Sequence, residues 1–331
     1  MEHDFDVVIA GGGLNGPALG LALADAGMRV AVVDAAPARA RATETFDGRA
    51  YALALASVRL LRGIGIWDEL AANAQPIRKV AASQARSTGE AGHFGLFFDS
   101  AEIEEGVLGQ MLEDRFLYRA LLDAMQARLT HIPQTQVTGQ TVTPSGIEVA
   151  LSDGRTLSAR LLVGADGRKS GVAERAGITR SGWDYGQTAL VAALDQQIPH
   201  DGTAHQVFLP TGPLAVLPLK GDRSSIVWSL ERAQAQAIAG LAGADFLDVL
   251  SPHIAQITGD ITLAGPRFSY PLNLTLANSY VAERVALIGD AAHGVHPIAG
   301  QGLNLGLRDV GALAECLVEA ARLGEDVGFA T

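Results

Sequence analysis

The sequence predicts an α/β fold in two parts: a parallel-sheet domain, and a mostly antiparallel β-sheet domain inserted into it. Three observations predict this. First, Asp6-Val-Val-Ile-Ala10 is a short apolar strand running into Gly11-Gly-Gly13-Leu14-Asn15-Gly16, then a small-residue helix over Pro17–Ala26 and a second strand ending at Asp34. This is G-x-G-x-x-G in the strand–helix setting of a Rossmann-like unit, with an acid about 20 residues downstream where it can accept ribose hydroxyls. Second, strand-like runs crowd the interval from Gly182 to Leu272. Third, Val285–Ile288 is again a β-branched run, stopped by Gly289-Asp290. After Pro297 and Gly300, apolar residues recur at helical spacing through Leu303, Leu307, Val310, Leu313 and Leu317, so a helix starts near Gly302.

Taken in order, Phe46-Asp-Gly-Arg49 opens a predicted helix that runs through Val58, Leu60 and Leu61 to Gly63. An arginine at a helix start opposes the dipole, which implies an anionic partner; a solvated surface arginine is the alternative. Ile77–Arg86 and His93–Phe98 have strand character about a Ser87-Thr-Gly-Glu90 turn and form a sheet excursion. Leu108–Leu112 and a helix over Asp114–Leu129 return to the nucleotide fold, with Phe116, Leu117, Leu121, Leu122 and Met125 as its buried stripe and Arg115 in its first turn. Strands over Gln136–Val142, Gly146–Leu151 and Leu157–Val163 lead to Asp166-Gly167, where Asp166 can cap a helix start. The insertion contributes strands at Gln187–Leu194, His205–Leu209, Ala215–Leu219, Ser224–Leu230, Ile261–Leu263 and Phe268–Leu272, with short helices near Ala233–Leu241 and Asp245–Leu250. The expected division is 1–75, 107–181 and 273–331 for the nucleotide domain, and 76–106 and 182–272 for the sheet domain.

Composition narrows the function. With 36 acidic against 25 basic residues and a net charge of −11, the chain lacks the basic face that nucleic acid requires and has no attraction to anionic lipid. A 48% hydrophobic and 18% charged composition over 331 residues describes a compact globular protein. The single Cys316 has no disulfide partner and is expected to be a buried, inert thiol. The acidic N-terminus lacks the positive start of a signal peptide and no apolar run reaches spanning length, so the expected address is the cytoplasm, with membrane contact at most peripheral. His293 and His296 lie in a proline-interrupted loop without further ligands at metal spacing, so no metal is expected. His293 should be packed and hydrogen-bonded, and His296 should lie nearer the cofactor.

Gly289-Asp290-Ala-Ala-His293, His296-Pro297, Gly300-Gln301-Gly302-Leu303-Asn304-Leu-Gly306 and Asp309 together resemble the second flavin fingerprint of the class A FAD-dependent aromatic monooxygenases. The fit is closest to their ubiquinone-biosynthesis hydroxylase branch, of para-hydroxybenzoate-hydroxylase-like fold, and it covers essentially the whole chain. The resemblance implies FAD as cofactor in an FAD-binding domain, with the inserted sheet as substrate domain. It also implies NADPH or NADH as electron donor, and O2 forming a C4a-hydroperoxyflavin whose terminal oxygen passes to a phenol ring. Cofactor contacts are implied for Gly11, Gly13, Leu14, Asn15, Gly16, Asp34, Arg49, Arg115, Asp166, Asp290, Pro297, Gly300, Gln301, Gly302, Leu303 and Asn304. Asp290 would bind the ribityl chain, Arg49 the pyrophosphate, and the Gly300–Asn304 helix start the N1–C2=O edge of the flavin ring. Asp166 with Gly167 would touch both FAD and the nicotinamide donor.

The expected substrate is a polyprenylated phenol of ubiquinone biosynthesis; a small soluble phenol, or a non-catalytic FAD-binding scaffold in a biosynthetic complex, are the alternatives. A lipid tail would need an apolar channel, for which Val207, Phe208, Leu209, Leu214, Val216, Leu217, Val227, Trp228, Phe268 and Tyr270 are candidate walls, although alternating apolar residues also build plain core. No general base is named by the sequence. An NAD-dependent dehydrogenase would leave Gly289–Asn304 unused, and no second strand-linked G-x-G-x-x-G provides a separate nicotinamide domain. The Trp-x-Trp-x-Ile-Pro pattern of flavin halogenases is missing around Trp67, Trp183 and Trp228. Relatives of this kind usually continue with further helices beyond the Gly302 helix, so a chain stopping at Gly324–Thr331 reads as truncated.

Overall fold

The computed structural model describes residues 3–37, 46–85, 91–104 and 106–329; the expected Ser87–Glu90 turn lies outside them. Parallel strands Val285–Leu287, Thr156–Gly164, Phe5–Ala10, Val30–Val33 and Thr130–Ile132 lie side by side in that order within an eight-stranded sheet. The hairpin of Val137–Thr143 and Gly146–Leu151 joins it antiparallel. Side chains alternate across the sheet: Val7, Ile9, Val32 and Val163 enter one core with the flanking helices, while Val8, Ala10, Val33 and Leu162 enter another. Both faces are therefore buried, which is why these strands read as unbroken apolar runs.

The register decides where the chain turns. Ala10 pairs with Val33 and with Gly164, and Gly164 pairs with Leu287, so the carboxyl ends of four strands are level. Gly11, Asp34, Ala165 and Ile288 consequently leave the sheet along one edge, the edge at which open α/β sheets hold ligands. The helix Asn15–Asp25 follows the first turn, and the long helix Gln301–Leu323 packs against it through Leu307, Val310, Leu317 and neighbours spaced about one turn apart. Cys316 falls on the outer face of that helix and is exposed, so the expectation of a buried thiol is corrected.

A nine-stranded sheet forms the second layer, antiparallel except where Lys79–Ala85 runs parallel to Thr203–Leu209. One face is sealed by helices Arg232–Ala239 and Gly243–Thr258, burying Val207, Leu209, Leu214, Val216 and Trp228. These five candidate channel walls are core. The pairings Val191 with Phe268 and Val227, and Phe208 with Pro213, put Phe208, Leu217, Val227, Phe268 and Tyr270 on the opposite face, where Phe208 and Tyr270 are each 42% exposed. The edge strand of this sheet is His293–Gly294, which pairs with Leu276 and Thr275, so the fingerprint loop is itself part of the second sheet.

A third sheet corrects two expectations. Ala50–Leu53 is a strand, not the first turn of a helix, and pairs with Gly109–Glu113, which pairs in turn with Gln75–Ile77. The helix begins only at Leu55. Local propensity at Ala50-Tyr-Ala-Leu53 loses to this long-range ladder and to the hydrogen bond from the Tyr51 hydroxyl to Asp114 (2.8 Å). Leu108–Leu112 accordingly joins this small sheet and not the parallel one.

Candidate cofactor site

The first turn is built on glycines that have no room for a side chain. A Cβ at Gly11, whose φ is +117°, would collide with the Ala165 carbonyl, one at Gly16 with the Gly11 carbonyl, and one at Gly12 with the Asp34 carboxylate. Gly12 was not picked out from the sequence, because the constraint on it is this long-range contact with Asp34 and not its place in the motif. Gly13 differs: nothing lies within 4 Å of its Cβ position, so its open side is left for a ligand. Asp34 is buried (9% exposed), with Oδ1 accepting the Ala36 N–H at 3.1 Å. Leu14 is core, and Asn15 points into the second fingerprint, where its amide fills the space that side chains at Gly289 and Gly306 would need. Asn15 Oδ1 is buried without a hydrogen-bond partner.

The second turn follows Leu287. Gly289, with φ +60°, and Asp290 form a single 3-10 turn on the shared edge. Asp290 Oδ2 accepts from Arg168 Nε at 3.0 Å, and Arg168 Nη1 reaches Asn273 Oδ1 at 3.2 Å. Arg168 was also missed by sequence reading; its position two residues after Asp166 was the available signal. Asp166 Oδ2 accepts the Val172 N–H at 3.2 Å at the start of the short helix Gly171–Arg175, bonding a backbone N–H as expected, although the cap itself is Ser170, whose Oγ accepts from Ala173 N at 3.0 Å.

At the start of the long helix, Pro297 precedes a strained loop in which Ala299 has φ +52° and Gly300 φ +63°. No side chain caps the helix, and no atom stands within 4 Å of the Gly302 Cβ position. The first-turn N–H groups thus face an open side with a partial positive charge. Gln301 donates to its own loop at Ala299 O (3.3 Å), and Leu303 packs against the core. Asn304, 2% exposed, accepts from Ala54 N (2.8 Å) and Ser57 Oγ (2.7 Å) and donates to Ala52 O (2.7 Å) and Gly300 O (2.9 Å). Its amide is used in tying the helix start to the Ala50–Leu53 strand.

Arg49 stands before that strand and not at a helix start, so the dipole argument for an anionic ligand falls away. Its partners are Asp47, whose Oδ2 takes Nε at 2.8 Å, and Asp114 at 3.5 Å. The hydrogen bond to Asp47 raises the Arg49 pKa, and Arg49 holds Asp47 below the usual carboxylate range against the opposing effect of burial. Arg115 Nε pairs with Glu113 at 2.6 Å and lies over the Phe116 ring. His293 Nε2 meets Asp309 Oδ2 at 2.6 Å, as the packed, hydrogen-bonded reading requires, and that bond raises its pKa. His296 stands edge-on to Tyr185 at 5.4 Å, and burial lowers its pKa.

A sequence model described as an FAD binding domain matches residues 4–326. The chain belongs to the FAD binding domain family. Its cofactor is FAD, and the resemblance to the ubiquinone-biosynthesis hydroxylases holds: the chain is an enzyme of the flavoprotein monooxygenase class. It is 44% identical to the ubiquinone hydroxylase UbiL of Rhodospirillum rubrum over 98% of this chain and 74% of that one. It is 37% identical to the 3-demethoxyubiquinol 3-hydroxylase of Escherichia coli, over 97% of this chain and 81% of that one. Among solved structures, Pseudomonas aeruginosa PqsL in complex with 2-aminobenzoylacetate superposes with a TM-score of 0.83 at 26% identity, covering 98% of this chain and 89% of that one. The site fits the family's cofactor, because open Gly13 and buried Asp34 leave the sheet on the edge that carries Asp290, and the uncapped helix with open Gly302 is tied to that edge through Asp309.

Proposed function

We propose that the chain hydroxylates the aromatic ring of a polyprenylated phenol in ubiquinone biosynthesis, with NADPH or NADH as electron donor and O2 as co-substrate. What carries this reading is that Gly13, Asp34 and Asp290 leave one sheet edge and the helix that starts at open Gly302 is tied to it through Asp309, in a chain similar over almost its whole length to hydroxylases of that pathway. FAD supplies the redox and oxygen chemistry when bound. The protein's own part is to hold and orient it. The Gly11–Gly16 turn offers backbone N–H groups to the pyrophosphate, Asp34 accepts from the adenosine ribose, and Asp290 accepts from the ribityl hydroxyls. The Gly300–Gly302 helix start offers N–H groups and a positive dipole end to charge on the flavin ring edge. Asn304 serves by fixing that helix start. Arg49, Arg115 and Asp166 are proposed to border the cofactor, held by the ion pairs and the backbone hydrogen bond already described.

We assign the substrate to the face of the nine-stranded sheet opposite its two helices, where Phe208, Val227, Phe268 and Tyr270 present apolar surface while Leu217 packs against Ile77 and Met111 of the three-stranded sheet. The roles of flavin holder for 1–75, 107–181 and 273–331, and of substrate holder for 76–106 and 182–272, belong to the same proposal. Among the described residues no helix is long and apolar enough to cross a membrane, so a lipid-tailed substrate would be met by peripheral contact. The test is NAD(P)H oxidation coupled to product formation with a short-tail prenylphenol and with the tailless ring. Hydroxylation that is faster with the tailed phenol is expected; equal efficiency on the tailless ring removes the lipid-tail reading and makes a small soluble phenol the substrate.

A further inference from the structure

The hydrogen bonds that tie the turn carrying Asp290 to the long helix end on one atom. Asp309 lies in the third turn of the Gln301–Leu323 helix, and its Oδ2 accepts the Gly289 backbone N–H at 2.8 Å and His293 Nε2 at 2.6 Å. Gly289 immediately precedes Asp290 and His293 follows it by three residues, so a single carboxylate oxygen ties both ends of the turn. The same helix begins at the open Gly302. The rest of the turn is held from the sheet side, where Ala292 N–H bonds Gly289 O at 2.9 Å, Arg180 Nη2 bonds Ala291 O at 3.0 Å and His293 pairs with Leu276, while the exposed Asp290 is held from outside by Arg168, itself about as exposed. His293 is 6% exposed, and the titratable groups around its ring are Asp309 from the helix, Asp290 from its own turn and Tyr280, whose ring lies 5.9 Å away.

We propose that Asp309 and His293 are a positioning pair that sets where Asp290 stands relative to the Gly302 helix start, and so fixes the spacing between the ribityl and ring ends of the flavin site. The inference rests on the FAD reading of that edge. Two hydrogen bonds to one half-buried carboxylate oxygen are each charge-assisted, and their loss lets the turn move away from the helix. His293→Gln keeps an amide donor for Asp309, whereas His293→Ala and Asp309→Ala remove one and both ties.

Because Asp309 raises the His293 pKa, protonated His293 is favoured in the native turn below the ordinary histidine value. That contribution is lost as pH rises through the raised pKa.

The experiment is FAD titration of each apoprotein between pH 6 and 9, with the flavin midpoint potential and apoprotein thermal midpoint measured alongside. Expected is FAD binding about ten-fold or more weaker in Asp309→Ala, an intermediate loss in His293→Ala, and near wild-type affinity in His293→Gln. The weakening of wild-type affinity toward high pH should be absent in His293→Gln, and the potential should move in Asp309→Ala. Lower thermal midpoints with unchanged FAD affinity and potential would overturn the proposal, since a purely structural pair behaves that way. If Asp309→Ala does not fold, the two His293 variants decide by the same affinities. Wild-type protein that fails to bind FAD would instead refute the flavin reading itself.

Discussion

The two glycine-rich turns at the proposed flavin edge share a plan and differ in what supports them. Each has packed glycines and one open glycine, Gly13 in the first and Gly302 in the second. In the first turn the close contacts come from its own neighbours on the parallel sheet, Ala165, Asp34 and Gly11. In the second they come from elsewhere: Gly289 and Gly306 rest on Asn15 of the first turn, and Gly300 on Ala52 of the three-stranded sheet. The first turn is therefore complete once the parallel strands pair, while the second is assembled on it. Packed glycines serve the fold, and the open ones leave the space that the proposed cofactor would take.

That distinction can be broken by substitution. Gly16→Ala should have the largest effect, since its Cβ would meet the Gly11 carbonyl; a loss of about 3 kcal/mol of stability, read as a lower urea midpoint with or without FAD, is expected. A midpoint like that of the wild type would mean that the turn is far looser than its packing.

Asp290→Ala comes next. With its hydroxyl partners unpaired, FAD binding should weaken by about 1–3 kcal/mol while the apoprotein keeps its fold, because the lost Arg168 pair is largely solvent-exposed. A colourless wild-type protein with no FAD binding in titration would defeat the whole comparison.

Gly302→Ala should be smallest in stability and most telling in function. The helix gains up to about 1 kcal/mol of propensity, yet the methyl group enters the open side. An unaltered flavin affinity and midpoint potential in this variant would show that nothing docks there.

Much of this was readable from local pattern. The parallel strands declare themselves because both faces are buried, and the Gly11–Gly16 turn because strand, helix and Asp34 follow at fixed spacing. The Ala50–Leu53 strand was not readable: two of its residues are alanine, and only pairing with Gly109–Glu113 makes it extended. Asn304 was visible as part of a motif but not in its hydrogen bonding, since Ala52, Ala54 and Ser57 lie in the first quarter of the chain. The candidate channel walls had the right period, but alternation alone does not say which face the helices will seal.

The short strand His293–Gly294 makes the proposed flavin loop an edge rung of the nine-stranded sheet to which the substrate is assigned. On the proposed assignment, substrate range and redox tuning are mechanically joined, and a change that shifts the sheet to admit a new phenol also tugs on the turn bearing Asp290. For laboratory evolution this means that broadened specificity should arrive together with altered coupling, with reducing equivalents wasted on oxygen, unless a compensating change restores the hinge between Leu276 and His293.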